Sequence, residues 1–132
     1  MNKSFLKAGA LLGALTIIFG AFAAHAIKSR VNAETLAIFE TGVRYQMYHV
    51  FAIILVGIMY KDFPFKSMLW AGNLFLAGII LFSGSLYLLT YFKATCNENM
   101  NWLGAITPFG GICFIVGWFL ILKSFYKTKK GL

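Results

Sequence analysis

The sequence predicts an all-α integral membrane protein, a bundle of four helices. Three observations predict it. Four stretches, at about 6–27, 39–60, 67–91 and 101–125, are long and apolar, and a bilayer core of about 30 Å takes about 20 such residues in a helix. Only 12% of the residues are charged while 60% are hydrophobic, against about 25% charged in a soluble domain, so water cannot be the solvent for most of the surface. The basic residues sit at the ends of the apolar runs, where lipid headgroups lie. The 132 residues make one membrane domain.

The first stretch carries Lys3 and Lys7 ahead of an apolar run and ends in Ala24-His25-Ala26, the small-x-small pattern of a signal-peptide cleavage site. The histidine and the many small residues suit a retained, packed helix instead. Asn32 is placed to cap a helix entering the second stretch. Asp62-Phe63-Pro64 makes a short turn before the third. Thr95-Cys96-Asn97-Glu98-Asn99 is a polar loop, after which Asn101 is placed to cap the fourth helix. Tyr60, Trp70, Trp102 and Tyr126 fall near span ends, where amphipathic rings prefer the interface. Small residues mark packing faces that let backbones approach in lipid. Gly9, Gly13, Thr16, Gly20 and Ala24 form one, Ala71, Gly78 and Ser85 a second, and Gly110, Cys113 and Gly117 a third. These faces serve one bundle or a homo-oligomer equally well. No internal repeat of the transporter kind is visible.

Orientation follows from the excess of cations on the cytoplasmic side. Lys3, Lys7, Lys61, Lys66, Lys123, Lys127, Lys129 and Lys130 lie on one side; Lys28, Arg30, Arg44 and Lys93 lie on the other, partly offset by Glu34, Glu40 and Glu98. Both termini are therefore expected in the cytoplasm. The net charge of +8 forms no stripe, so nucleic acid is not an expected partner; membrane lipids are.

The second stretch is the informative one. Its purely apolar part, Val50 to Tyr60, spans only about 16 Å of helix, too short to cross. The segment from Thr41 to His49 must then lie inside the membrane, with Gly42, Gln46 and His49 on one face and Tyr45 beside them. At about 1.5 Å per residue, Arg44, Ser83, Ser85, His25 and Thr107 fall in the outer half and His49 near the middle. Hydrocarbon cannot satisfy such groups, so they are expected to face the bundle interior. Arg44 can also snorkel outward. Thr107-Pro108 either opens the fourth helix or bends it, freeing carbonyls near Gly104.

Metal and cofactor chemistry finds no support. His25 and His49 differ by about 12 Å in depth, too far for one haem iron, and zinc needs three or four ligands at recognisable spacing. Cys96 and Cys113 lie on different kinds of segment and form no CxxC. No nucleophile-base arrangement or phosphate loop points to catalysis.

Several motifs together carry a resemblance. Gly20-Ala21-Phe22-Ala23-Ala24-His25 is similar to a GAFGAH signature, with Ala23 replacing its glycine. Thr41-Gly42, Tyr45-Gln46 and His49 match TG-x-x-YQ-x-x-H. Phe82-Ser83-Gly84-Ser85-Leu86-Tyr87 matches FSGSLY, and Thr107-Pro108, Gly110-Gly111 and Gly117-Trp118 match TP-x-GG…GW. In this order and spacing the chain resembles the YgdD/YwdK-like small bacterial membrane proteins, a family of uncharacterised function related to vertebrate transmembrane protein 256. The resemblance implies a multi-pass protein of the bacterial cell (inner) membrane and supplies no activity. It selects His25, Tyr45, Gln46, His49, Ser83, Ser85, Tyr87 and Thr107. Two roles follow for this cluster. A structural or accessory protein would use it to pin the helices together. A binding or transport protein would use it to line a cavity for a small polar solute, a proton or a lipid headgroup.

Overall fold

Helix starts and stops are set by a few capping residues and one proline. The computed structural model describes residues 1–96 and 98–127, apart from the side chain of Glu98. Asn97 of the polar loop and Lys129 and Lys130 of the basic tail lie outside the described residues. Among the described residues, four helices are long and apolar enough to cross a membrane: Lys3–Ile27, Ala33–Met59, Lys66–Ala94 and Asn99–Phe125. They are the first to fourth helices below.

Asn2 opens the first helix. Its side-chain oxygen accepts from the N–H groups of Ser4 and Phe5 at 3.1 and 3.3 Å, two donors that no helical carbonyl reaches. Its own N–H donates to the Gly57 carbonyl at 2.7 Å, which ties this end to the second helix. The first helix finishes in a π-helical turn, Ala23–Ile27. Asn32 caps the second helix by accepting from Thr35 N–H at 2.8 Å. That helix starts at Ala33, ahead of the expected Phe39, and runs unbroken for 27 residues. Thr35 and Phe39 are both buried, one turn apart, so the packed face continues through the polar segment. The third helix contains a π-helical turn, Ile79–Ser83.

The fourth helix departs from expectation. Asn101 does not cap an α-helix. Residues Glu98–Ala105 form 3₁₀ turns, and the α-helix runs Thr107–Phe125 with Pro108 in its first turn. The reason is steric: inside an α-helix the Pro108 ring would collide with the carbonyl four residues back, whereas the first turn needs no proline N–H. Of the two sequence readings of Pro108, a helix start is the one realised.

The second helix is central: 44% of its apolar window is buried, against 17% for the first. It packs against the first and third helices, and the fourth lies along the third. Phe5, Ile53, Val56, Met68, Phe75, Phe114 and Ile121 form the apolar core. The small-residue faces are used inside this one chain. A Cβ at Gly9 would meet Ile54 Cγ1 at 2.5 Å, one at Gly117 would meet Phe75 at 2.5 Å, and one at Gly110 would meet the backbone nitrogen of Phe82 at 2.4 Å. On the first helix the buried face passes through Phe5, Gly9, Thr16 and Ala23. Ala24, expected on it, is exposed. A face repeating every seven residues from Gly9 returns at Thr16 and Ala23 and leaves Ala24 one position off.

Candidate functional site

Hydrogen bonds between buried polar groups, in several separate sets, join all four helices. Gln46 stands at the centre of one set. Its Nε2 donates to the Leu12 carbonyl on the first helix at 3.2 Å, and its Oε1 accepts from the Tyr87 hydroxyl on the third at 2.8 Å. These two bonds fix which way the amide points. Thr16 Oγ1 donates to the same Leu12 carbonyl at 2.6 Å. The Tyr87 ring is held between Phe19 and Phe39, with centroids 5.0 and 4.9 Å away. One turn along the second helix from Gln46, the Gly42 carbonyl accepts from Ser83 Oγ at 2.7 Å. A Cβ at Gly42 would meet the Tyr87 ring at 2.8 Å, so glycine there lets the third helix come close enough for both bonds.

Ser85 links the third helix to the fourth. Its hydroxyl donates to the Phe82 carbonyl at 2.9 Å and lies 2.7 Å from Thr107 Oγ1. A serine has one proton to give, so Thr107 is the donor in that pair. The link depends on the start of the α-helix at Thr107, which Pro108 enforces.

His49 is buried and both ring nitrogens are engaged. Nδ1 lies 2.8 Å from the Tyr45 carbonyl, which only accepts, so Nδ1 carries the proton. Nε2 accepts from the Trp118 indole N–H at 3.4 Å. This is the neutral ring in a defined tautomer. The ring stacks on Phe114 with centroids 3.4 Å apart and planes 6° from parallel, and tilts against Phe75 at 5.4 Å. Neither nitrogen has a free lone pair for a metal. Among the described residues no three His, Cys, Asp or Glu side chains are grouped to hold one, and both cysteines are free thiols.

The expected cluster is therefore partly assembled. Gln46, His49, Ser83, Ser85, Tyr87 and Thr107 enter the network. His25 does not: it is exposed on the π-helical turn, off the seven-residue face that buries Ala23. Tyr45 contributes its carbonyl, while its ring is 39% exposed and packs on Phe82 with centroids 4.7 Å apart. Being next to Gln46 in the chain, it is rotated about 100° off the buried face. Arg44 is exposed as well, as snorkelling allows.

Five contributors escaped the sequence reading: Trp118, Phe114, the Leu12 carbonyl and a separate pair, Ser67 and Ser124. A tryptophan in mid-span, away from the interface these rings prefer, was a legible signal for Trp118. Ser124 continues the seven-residue series of Gly110 and Gly117, which marks it as inward. It donates to the Leu120 carbonyl at 2.8 Å and accepts from Ser67 at 2.7 Å, joining the third and fourth helices at the end nearer the C-terminus. A carbonyl acceptor such as that of Leu12 leaves no side-chain signal.

Four apolar spans joined by buried hydrogen bonds define a small, all-helical, multi-pass membrane protein. The particular family is equally plain: the chain belongs to the one described as "Protein of unknown function (DUF423)", whose model matches residues 19–111. It is 37% identical over 125 residues to the UPF0382 membrane protein SAB0533 of Staphylococcus aureus (strain bovine RF122 / ET3-1), covering 95% of this chain and 97% of that protein. It is 37% identical over 126 residues to the UPF0382 membrane protein YwdK of Bacillus subtilis (strain 168), covering 95% and 98%. A UPF0382 membrane protein of Haemophilus influenzae is 35% identical over 130 residues, with 98% of each chain covered. No solved structure matches the chain. These relatives are named as membrane proteins, and their names state no activity.

Proposed function

We propose that this is a structural or accessory protein of the bacterial inner membrane, with both termini in the cytoplasm and the Gln46 network in the outer half of the bilayer. One observation carries the reading: among the described residues, every buried side-chain nitrogen and oxygen has a hydrogen-bond partner. A polar solute entering the bundle would have to displace one of these bonds, since among the described residues no buried polar atom is left over and aimed at it. Here the amide of Gln46, the hydroxyls of Ser83, Ser85 and Tyr87, and Nε2 of His49 are taken up between helices, and Nδ1 of His49 is taken up within the second helix. In hydrocarbon an unmade bond of this kind costs several kcal/mol, so the network selects one arrangement of the four helices.

His49→Phe tests the reading. The ring stack on Phe114 survives in shape while both ring nitrogens are removed. The folded variant is expected to co-purify with the same small polar metabolites as wild type, measured by mass spectrometry of both preparations in one detergent. A metabolite retained by wild type and absent from a stably folded His49→Phe preparation would overturn the structural role.

A further inference from the structure

A cavity of about 330 Å³ opens at the end of the bundle away from Met1, bordering the network at Tyr87. Its wall comes from the close of the first helix, the start of the second and the close of the third. Phe22, Ile27, Phe39, Tyr87 and Tyr91 line it, and Arg30 stands among them as the charged residue of the lining. The volume lies in the range of small-molecule sites, which are mostly apolar with a few oriented polar groups.

The chemistry of this wall narrows what it accepts. Three of its four hydroxyls donate within the protein: Tyr87 to Gln46 Oε1, Thr90 to the Leu86 carbonyl at 2.9 Å, and Thr95 to the Tyr91 carbonyl at 3.1 Å, while Tyr91 is exposed at the rim. A polar solute would find few free donors along the floor. Hydrocarbon would find aromatic and aliphatic surface. Arg30, exposed in the link between the first two helices, adds a fixed positive charge and a planar set of donors that matches a phosphate. Lys28 and Lys93 are exposed at the same end of the bundle and raise the local positive potential. Apolar depth with a cation beside it is the complement of an amphiphile with an anionic head. The site sits at the end of helices long enough to span a bilayer, where such molecules are the surrounding solvent.

We infer that this cavity is a binding site for an anionic phospholipid, one acyl chain lying against Phe22, Phe39 and Tyr87 and the phosphate on Arg30. The site shares the Tyr87 ring with the Gln46 network, and an acyl chain lying against that ring leaves the Tyr87–Gln46 bond in place.

The full-length protein, reconstituted in phosphatidylcholine vesicles doped with phosphatidylglycerol carrying a photoactivatable acyl chain, provides the test. Crosslinked peptides are mapped by mass spectrometry. Labels are expected to concentrate on 22–31 and 87–95, above the outward face of the fourth helix at Ile112, Ile115 and Phe119. Ala26→Trp, which fills the cavity, is expected to lower those labels to the level of that outward face. Arg30→Gln lies on the exposed link and leaves the core intact; it is expected to cut the preference for phosphatidylglycerol over an identically tagged phosphatidylcholine about fivefold. Labels spread evenly around the bundle would overturn the site. Equal labelling by the two phospholipids in the wild-type protein would overturn the anionic headgroup. A tagged palmitate that labels these peptides where phosphatidylglycerol does not would overturn the choice of a phospholipid.

Discussion

Gln46 uses both ends of one amide to hold two other helices, and its two bonds differ in kind. The bond from Tyr87 joins two side chains, so a paired substitution can isolate it. The bond to Leu12 uses a carbonyl that also accepts from Thr16, so losing it leaves no orphan on the first helix. Two magnitudes compete here. A buried donor left unmade costs about 1–3 kcal/mol in a soluble core, while polar contacts between membrane helices average about 0.6 kcal/mol. Because Leu12 keeps Thr16 as a donor, the smaller figure governs that side and the larger one applies to Tyr87. Gln46→Leu is therefore expected to destabilise by about 1–2 kcal/mol, and Tyr87→Phe by less. The double variant should cost measurably less than the two losses added, read from denaturant unfolding in mixed micelles. Strict additivity, to within about 0.3 kcal/mol, would remove the bond from the account.

At the scale of the helix, close approach decides more than hydrogen bonding. The fourth helix meets the π-helical turn of the third at Gly110, where an added Cβ would sit 2.4 Å from the Phe82 nitrogen and 2.8 Å from its Cα. Backbone cannot step aside as a flexible side chain can. Ala at this position forces the two helices apart and stretches the Ser85–Thr107 bond beside it. Gly110→Ala is expected to destabilise by about 1–3 kcal/mol, the range for an overpacked core. The neighbouring Gly111→Ala is the control, since its Cβ would meet Phe82 Cδ2 at an ordinary 3.9 Å. Thermal unfolding of the two variants in detergent should separate them; equal melting temperatures would show that the helices have room to move. The π-helical turn places Phe82, Ser83 and Ser85 at this crossing, a use of such turns at sites where helices must be re-aimed.

The whole molecule has two unlike ends. The end nearer Met1 is closed by the Asn2 to Gly57 bond and the Ser67–Ser124 pair. The opposite end carries the loops that hold Arg30 and Cys96 and the cavity between the first three helices. Orientation in the membrane follows the proposed cytoplasmic termini, and the two native thiols report on it. Cys96 is exposed in the link between the third and fourth helices; Cys113 is half-buried within the fourth. With the termini inside, a membrane-impermeant maleimide added to spheroplasts should modify Cys96 and spare Cys113. A Cys96→Ser variant should then take up none. Protection of Cys96 until the membrane is permeabilised would reverse the topology.

The sequence by itself determined the solvent, and through it the architecture. With so few charges and four apolar runs, the backbone must satisfy itself in helices, and the glycines at 42, 110 and 117 and the polar residues at 46 and 49 had to point inward because lipid accepts neither gaps nor unmet polar atoms. Only the tertiary structure decided which hydrophilic groups meet. His25 and Gln46 read alike as intramembrane polar residues, yet one lies two positions past the buried Ala23 and the other lies on the buried face, and a rotation of about 100° per residue separates an exposed ring from the centre of a network. The acceptors at Leu12, Gly42 and Tyr45 are main-chain carbonyls, which every residue carries, so side-chain identity could not announce them. The cavity beside Arg30 is likewise a property of three helix ends brought together, set by where a π-helical turn and a cap happen to stop them.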